Sequence, residues 1–379
     1  MANINLPKTP FDLKNPLDAA QQAAQKAQQA AQDLAQQAQQ TAQQVAQQAQ
    51  QTAQQAAQQA QQTAQQAADA VGQLTGKFLS PLMKFNQAFF ESCLQPERLP
   101  PGAQDAYVET ASSVQKPPPG TNPVVLIHGT LANRYNTFRN LSPEIKAAGF
   151  AVFALNFGGL PTLPKVIGGA ADIRESAKEL ARFVDDVLSK TGAKKVDLVG
   201  HSQGGGILPR WYIKYLGGKD KVDKLIGVAP GNHGCSAMGL STLTYMICNL
   251  LRIQNIFSAP ANALVGPALL QQTDGSPSNL HPELDEGGDC CDGVHYVNIV
   301  TIRDEAVTPY GNGYLKAGDG QKVTNLTLQD YDGYKFDMTE HLGMTSNPVV
   351  IELVKRALAG KPVDTKSVMV TPSPLYFTP

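Results

Sequence analysis

The sequence VDLVGHSQGGG spans residues 196–206 and constrains the architecture of this chain more than any other segment. An apolar run leads into GHSQG at 200–204, and a helix-like stretch follows at 207–216. G-x-S-x-G between a strand and a helix is typical of a serine on a tight turn, because the glycines let the backbone pack closely there. A glycine-rich loop could carry these five residues by chance, but the flanking strand and helix favour the turn. The pattern therefore predicts that Ser202 is a nucleophile.

A nucleophilic serine needs a base and an acid that orients the base. On turns of this kind the partners follow in the chain order serine, acid, histidine. Only one histidine, His341, follows the best acid candidate, Asp304, which ends the β-branched run at 297–304. Glu305 is the neighbouring alternative, and we favour the shorter side chain of Asp304. His341 would take the serine proton and deliver it to the leaving alcohol, while Asp304 fixes the ring.

An oxyanion formed at the acyl carbon needs two hydrogen-bond donors. The backbone N–H of Gln203, directly after the serine, is the first candidate. VVLIHGT at 124–130 reads as a buried strand ending in His-Gly, and the backbone N–H of Thr130 is the second candidate. His128 and His201 lie in these motifs, and we interpret both as packing or hydrogen-bonding residues rather than bases.

Six motifs occur in order along the chain: VVLIHGT (124–130), FAVFALNFG (150–158), VDLVGHSQGG (196–205), APGNHG (229–234), TIRDEAVTPY (301–310) and EHLGM (340–344). With them the chain resembles the bacterial secreted triacylglycerol lipases of lipase class 2, within the α/β-hydrolase superfamily, over roughly residues 90–360. The resemblance implies a triad of Ser202, Asp304 and His341 that hydrolyses carboxylic esters, including acylglycerols, without a cofactor or metal. It also implies a secreted protein that can meet a lipid–water interface, although the family includes enzymes for short soluble esters.

Two other function classes stay open at this point. An acyltransferase would use the same triad but exclude water and admit another alcohol as the acceptor. A surface-binding or assembly protein would depend mainly on the N-terminal segment and would not need the three triad residues.

Composition excludes some partners. Hydrophobic residues make up 42% of the chain and the formal net charge is −1, so no polycationic face is expected to attract nucleic acid. No run approaches 18 apolar residues, and residues 1–20 lack the apolar core of a signal peptide. A mature secreted form, another export route and a cytoplasmic protein all stay open.

The chain has five cysteines, which suggests an oxidising compartment: Cys93, Cys235, Cys248, Cys290 and Cys291. Because five is an odd number, at least one of them is unpaired within the monomer. None of them has the C-x-x-C spacing that would indicate a metal site.

We divide the chain into four parts: an N-terminal leader (1–18), an alanine/glutamine-rich helix (19–72), an α/β-hydrolase catalytic domain (73–360) and an extended tail (361–379). The second part repeats every 11 residues over 39–71, which predicts one long helix with a narrow alanine stripe. It could serve as a solvated spacer, as a self-association surface, or as an interfacial helix on lipid.

The catalytic domain alternates strands and helices, which predicts an α/β fold with a mostly parallel sheet and helices on both faces. One amphipathic helix should end near Gly192, and the last should begin at Asn347. Residues 232–291 are a candidate cap or lid with an apolar middle, either an ordinary buried helix or an acyl-binding wall. Leu131 and Leu208 are expected to line the pocket beside it.

Overall fold

The structure is a computed structural model that describes residues 97–161, 167–236 and 266–368, with the single positions 29, 95 and 239. The chain divides into two units, Met1–Val71 and Gly72–Pro379, and the fold below belongs to the second. The predicted leader, nearly all of the predicted alanine/glutamine helix and the apolar middle of the candidate lid lie outside the described residues, as do Cys93 and Cys248.

Within the described ranges, seven strands form one parallel sheet in the order β1-β3-β2-β4-β5-β6-β7. The sequence predicted a mostly parallel sheet, and every pair in it is parallel. The strands are β1 (Ala103–Gln104), β2 (Val124–Ile127), β3 (Val152–Leu155), β4 (Val196–His201), β5 (Val222–Val228), β6 (His295–Val300) and β7 (Lys322–Thr327).

Seven α-helices accompany these strands in the described part of the chain. They are α1 (Arg134–Phe138), α2 (Leu141–Ala147), α3 (Ile173–Thr191), α4 (Ile207–Tyr215), α5 (Pro267–Gln271), α6 (His281–Asp285) and α7 (Pro348–Leu358).

Local sequence signals explain where the two longest helices begin and end. The side chain of Asp172 accepts a hydrogen bond at the start of α3, and Gly192 ends that helix with φ +76°, a conformation that favours glycine. Asn347 caps α7 by accepting hydrogen bonds from Val349 N and Val350 N, with Pro348 in the first turn. Both termini agree with the sequence prediction.

The sheet separates two hydrophobic clusters, and alternate residues of a strand enter each one. In β2, Val125 and Ile127 pack with residues of α3 and α4. Val124 and Leu126 pack with residues of α2 and α7 on the other face. This is the two-residue period of a strand that is covered on both faces, which is why β2 is apolar throughout.

The carboxyl ends of parallel strands lie at one edge of a sheet, and the predicted functional residues follow such ends. Thr130 comes after β2, Ser202 directly after β4, and Asp304 after β6. The loop of His341 joins them there, because Thr301 Oγ1 donates to the carbonyl of Thr339 at 2.8 Å.

Residues 361–368 are the described part of the predicted tail, and they contain a turn. The carboxylate of Asp364 accepts hydrogen bonds from the backbone of Lys366 and Ser367, which forms a turn. Val368 is buried against the α7 side of the core, so apolar burial holds this segment on the domain.

Two further sequence expectations concern cysteines and membrane spans. No disulfide joins Cys235, Cys290 and Cys291 to one another. None of the helices within the described ranges combines the length and the hydropathy that crossing a bilayer requires.

Candidate active site

Ser202 lies at the end of β4 in a strained conformation. Its φ is +56°, a left-handed value that a residue with a side chain rarely adopts. A one-turn 3₁₀ helix, Ser202–Gly205, starts at this residue and leads into α4. The turn therefore projects a serine from the carboxyl edge of the sheet.

The flanking glycines are required because the backbones pack too closely for any side chain. A Cβ on Gly200 would lie 1.7 Å from the carbonyl oxygen of Gly204. A Cβ on Gly204 would lie 2.2 Å from the carbonyl oxygens of both Ile127 and His128, at the end of β2. The G-x-S-x-G pattern thus encodes both the turn and its contact with the neighbouring strand.

His341 is oriented by Asp304. Its Nδ1–H donates to Asp304 Oδ2 at 2.9 Å, and the two side chains are only 1% and 2% exposed. The other carboxylate oxygen, Oδ1, accepts from the backbone of Ala306 at 3.0 Å and of Val307 at 2.7 Å, which fixes the carboxylate. Because Nδ1 carries the proton in this arrangement, the neutral ring has its lone pair on Nε2, as a base requires. Nε2 is buried and has no hydrogen-bond partner among the described residues.

Glu305, the alternative acid, does not contact the ring of His341 through a hydrogen bond. Its Oε2 instead accepts from the backbone N–H of His341 at 3.1 Å. The structure therefore pairs the ring with Asp304 and the main chain with Glu305.

Three carboxyl groups surround His341 and control its charge. Burial by itself lowers the pKa of His341, but the charge and hydrogen bond of Asp304 and the charges of Glu305 and Glu340 raise that pKa to about 9. Burial and the charge of Glu340 raise the pKa of Glu305 to about 8. Burial likewise raises the pKa of Glu340.

The ring of His201 contacts both the backbone and the ring of His341. Its Nε2–H donates to the backbone carbonyl of His341 at 2.9 Å, and the two rings are 4.7 Å apart. Burial, together with the nearby His341, lowers the pKa of His201 to about 3. His201 is a neutral, buried hydrogen-bonding residue, as the sequence predicted.

His128 also matches its predicted structural role. Its Nδ1–H donates to the carbonyl of Gly129 at 2.9 Å, and Nε2 accepts from the backbone of Phe157 at 3.3 Å. Its ring stacks on that of Phe157 at 4.2 Å, and burial lowers the pKa of His128 to about 4. The ring therefore joins the loop after β2 to the loop after β3.

A pocket opens at Ser202, and His341 lines it as well. Leu131 lines this pocket, with the unusual φ of +58°, whereas Leu208 is fully buried in the core on the α3 side. The prediction for Leu208 is therefore wrong, because α4 turns that residue under the sheet and away from the opening. The lining residues are Gly129, Thr130, Leu131, Ala132, Thr137, His201, Ser202, His341, Leu342 and Thr345.

Side chains hold the two segments that carry the predicted oxyanion donors. Gln203 Nε2 donates to Thr130 Oγ1 at 3.2 Å and to the carbonyl of Gly169 at 3.2 Å. Gln272 Nε2 donates to the same Thr130 hydroxyl at 3.1 Å. The Gln203 side chain thus ties the serine turn to the loop after β2, and Thr130 lies at the pocket.

Sequence reasoning missed three contributors to this site. Glu340 precedes His341 directly, so its position beside the histidine was a usable signal. Gln272 lies within the segment interpreted as a cap, where nothing in the sequence links it to Thr130. Gly169 packs on the loop after β2, where a Cβ would lie 2.6 Å from the carbonyl oxygen of Gly129, and only the folded structure reveals this contact.

One group of side chains outside the pocket has metal-ligating chemistry. His233, Asp285 and Asp289 offer ligand atoms within 4.8 Å of one another. These atoms are already engaged by cationic groups of the chain. His233 Nδ1 contacts Asp285 at 3.0 Å and Nε2 contacts Asp289 at 3.2 Å, while Arg210 Nη2 bonds Asp285 at 2.7 Å. The arrangement is an ion cluster that joins α4, α6 and the loop after β5.

Comparison with known proteins agrees with the architecture. The α/β hydrolase fold family matches residues 122–251, which include β2 to β5. The crystal structure of Aspergillus fumigatus lipase B superposes with a TM-score of 0.53 at 21% identity, covering 71% of this chain and 62% of that one. The chain therefore has the α/β-hydrolase fold.

Curated relatives extend this to a distant similarity with bacterial lipases. Two proteins named triacylglycerol lipase, from Pseudarthrobacter phenanthrenivorans and Burkholderia plantarii, are each 32% identical to this chain over 88 residues. The matched segment is 22% of this chain, and it spans 25% and 23% of the length of those two lipases, about a quarter of each.

Proposed function

We propose that this protein is a serine carboxylic-ester hydrolase that forms an acyl-enzyme on Ser202. The observation that carries the proposal is the combination at one sheet edge: a strained serine turn, and a histidine lining the same pocket with its Nδ1–H bonded to a buried carboxylate. The distant similarity to triacylglycerol lipases supports an acyl ester as the substrate class.

In this mechanism Ser202 Oγ attacks the ester carbonyl while His341 Nε2 takes the hydroxyl proton. Asp304 keeps the proton on Nδ1 and stabilises the imidazolium that forms. The tetrahedral oxyanion accepts hydrogen bonds from the backbone N–H groups of Gln203 and Thr130, and each such donor contributes about 2.7–4 kcal/mol to transition-state stabilisation. His341 then protonates the leaving alcohol, and a water molecule, activated by the same residue, releases the acid.

The finer proposal is a triacylglycerol lipase or esterase. The pocket wall at Leu131, Ala132 and Leu342 is apolar, which suits the acyl chain of an ester. An acylglycerol presented at a lipid–water interface and a short soluble ester both satisfy this chemistry, so the chain-length dependence of hydrolysis separates them.

The test is hydrolysis of p-nitrophenyl esters from acetate to palmitate. We expect the intact protein to release p-nitrophenolate, and Ser202→Ala to lower kcat by roughly 10⁴-fold or more. Ser278→Ala is the matched control, because Ser278 is exposed and lies outside the pocket. A folded intact protein without activity, or a Ser202→Ala variant that keeps the activity, would refute the proposal.

A further inference from the structure

His341 has more acidic neighbours than a triad needs. Asp304 alone bonds its ring, yet Glu305 and Glu340 also approach it. Glu305 Oε2 accepts from the backbone of His341 at 3.1 Å, and Glu340 Oε2 accepts from the backbone of Leu342 at 2.6 Å. The two glutamates therefore accept hydrogen bonds from the backbone N–H groups of His341 and of the next residue, Leu342.

The second oxygen of Glu305 makes this position unusual. Oε1 is buried and has no hydrogen-bond partner among the described residues. No lysine or arginine in the described part of the chain forms an ion pair with Glu305 or Glu340. Burial and the neighbouring carboxyl group of Glu340 outweigh the attraction of His341, so Glu305 keeps its proton to higher pH.

The groups that act on Glu305 are all part of this one cluster. They are Glu340, which disfavours its charge, His341, which favours it, and Asp304, which disfavours it. His341 in turn faces these three carboxyl groups and the neutral ring of His201. Two neighbouring carboxyl groups in a site of this kind resist ionising together, and one retains a proton.

Charge on the glutamates matters because a general base has to be neutral before it can accept a proton. If all three carboxyl groups were ionised, their combined negative charge would hold the ring of His341 in the cationic form, which cannot accept a proton from serine. A proton retained on Glu305 removes one of those negative charges and makes the neutral imidazole accessible at lower pH.

We propose that Glu305 is a positioning residue that anchors the backbone of His341 and, by holding or releasing one proton, sets the pH range in which His341 is a competent base. This role rests on the proposed function, because it describes how the same histidine is tuned. Only one proton moves, between the Glu305 carboxyl and solvent, so no other reactant is needed.

Replacing Glu305 by glutamine separates charge from structure. The amide oxygen can still accept from His341 N–H, while the ionisable group is removed. Because the negative charge of Glu305 favours the imidazolium, we expect Glu305→Gln to lower the pKa of His341 by about one unit. The lower pKa of the kcat/KM profile should fall by the same amount.

Two readouts test this on the full-length chain. The first is the pH profile of kcat/KM on a soluble p-nitrophenyl ester. The second is NMR titration of the His341 ring in histidine-labelled protein, assigned by the resonance that His341→Gln removes. Glu283→Gln is the control, because Glu283 is exposed and lies in α6, outside the pocket.

The outcomes are distinct. A downward shift in both readouts for Glu305→Gln, with none for Glu283→Gln, supports the proposal. Lower activity at every pH with unchanged midpoints would reduce Glu305 to a purely structural role and overturn it. If the wild-type protein hydrolyses no ester, the proposed function fails, while the NMR titration still decides the role of Glu305. If Glu305→Gln fails to fold, the NMR titration of the wild-type protein decides: the His341 resonance must report two coupled protonation steps, and a single-proton titration curve overturns the proposal.

Discussion

The glycines around Ser202 allow its backbone to adopt the turn at the end of β4. Its own φ of +56° costs on the order of 1–3 kcal/mol in backbone strain, which the surrounding packing must offset. Gly204 contributes by letting the serine turn lie directly on the carbonyl oxygens that end β2. At this scale the position of Ser202 depends on close contact between backbones.

Gly204→Ala tests that dependence. The added methyl would meet two backbone oxygens at 2.2 Å, and neither belongs to a flexible side chain, so the turn must shift. We expect a destabilisation of about 1–3 kcal/mol in chemical denaturation, together with a loss of ester hydrolysis. Gly311→Ala is the control, because nothing lies within 4 Å of its Cβ position. Equal stability and activity for both variants would contradict this account of the turn.

Hydrogen bonds and ion pairs between distant segments hold the elements around the site together, and the sequence alone did not predict these contacts. Arg210 of α4 donates to the carbonyl of Asn232 at 2.5 Å and to Asp285 of α6, and His233 bridges Asp285 and Asp289. This cluster fixes the loop after β5, whose Gly231 N–H donates to the carbonyl of Ser202 at 3.3 Å.

The cluster should make stability depend on pH in a defined direction. Hydrogen bonds to Asp285 and Asp289 raise the pKa of His233 to about 9, above its value of about 6.5 in an unfolded chain. Its contribution is therefore complete below pH 6.5 and is lost as the pH rises through 9. We expect His233→Gln to lower the free energy of unfolding at pH 6 by about 1–2 kcal/mol, allowing for solvent screening, and to match wild type near pH 10.

The control for this pH dependence is His295→Gln. Burial lowers the pKa of His295, so its replacement should not show a stability loss that disappears toward alkaline pH. Urea unfolding at pH 6, 8 and 10 measures both variants. A constant difference for His233→Gln across the three pH values would show that the ring is not charged in the folded protein.

Short-range signals made much of this element layout predictable. The helix boundaries at Gly192 and Asn347 and the apolar runs of β2 and β4 are encoded by short stretches of sequence, so they could be predicted before the fold was known. β1, with two residues, is too short to produce a periodic pattern. Gln272 and the His233 cluster depend on contacts between distant segments, which a single sequence does not encode in a readable form. Glu340, by contrast, is adjacent to His341 in the sequence.

At the scale of the whole molecule, the described fold belongs to the unit Gly72–Pro379. Ser202, Asp304, His341 and both predicted oxyanion donors lie within it. The alanine/glutamine-rich segment at 19–72 stays a prediction, since nearly all of it falls outside the described residues. The 11-residue repeat predicts a helix. Three functions of that helix stay open: a spacer, a self-association surface, or a lipid-binding surface.

Deleting residues 1–71 separates these possibilities. Because the site residues all belong to the second unit, we expect kcat/KM on soluble p-nitrophenyl butyrate to be unchanged. If the segment adsorbs to lipid, hydrolysis of an emulsified triacylglycerol falls in the same variant. An equal loss on both substrates would contradict adsorption, and size-exclusion chromatography with light scattering would detect a loss of self-association.

The most direct measurement of the central claim is covalent trapping of the nucleophile. Diethyl p-nitrophenyl phosphate is attacked by an activated serine hydroxyl, which forms an Oγ–phosphorus bond and expels p-nitrophenolate. Peptide mass spectrometry of the labelled protein should find one diethylphosphoryl group per chain, on Ser202, in parallel with loss of esterase activity and absent from Ser202→Ala. Loss of activity with the label on another residue, or a folded protein that takes up no label, would contradict the assignment of Ser202 as the nucleophile.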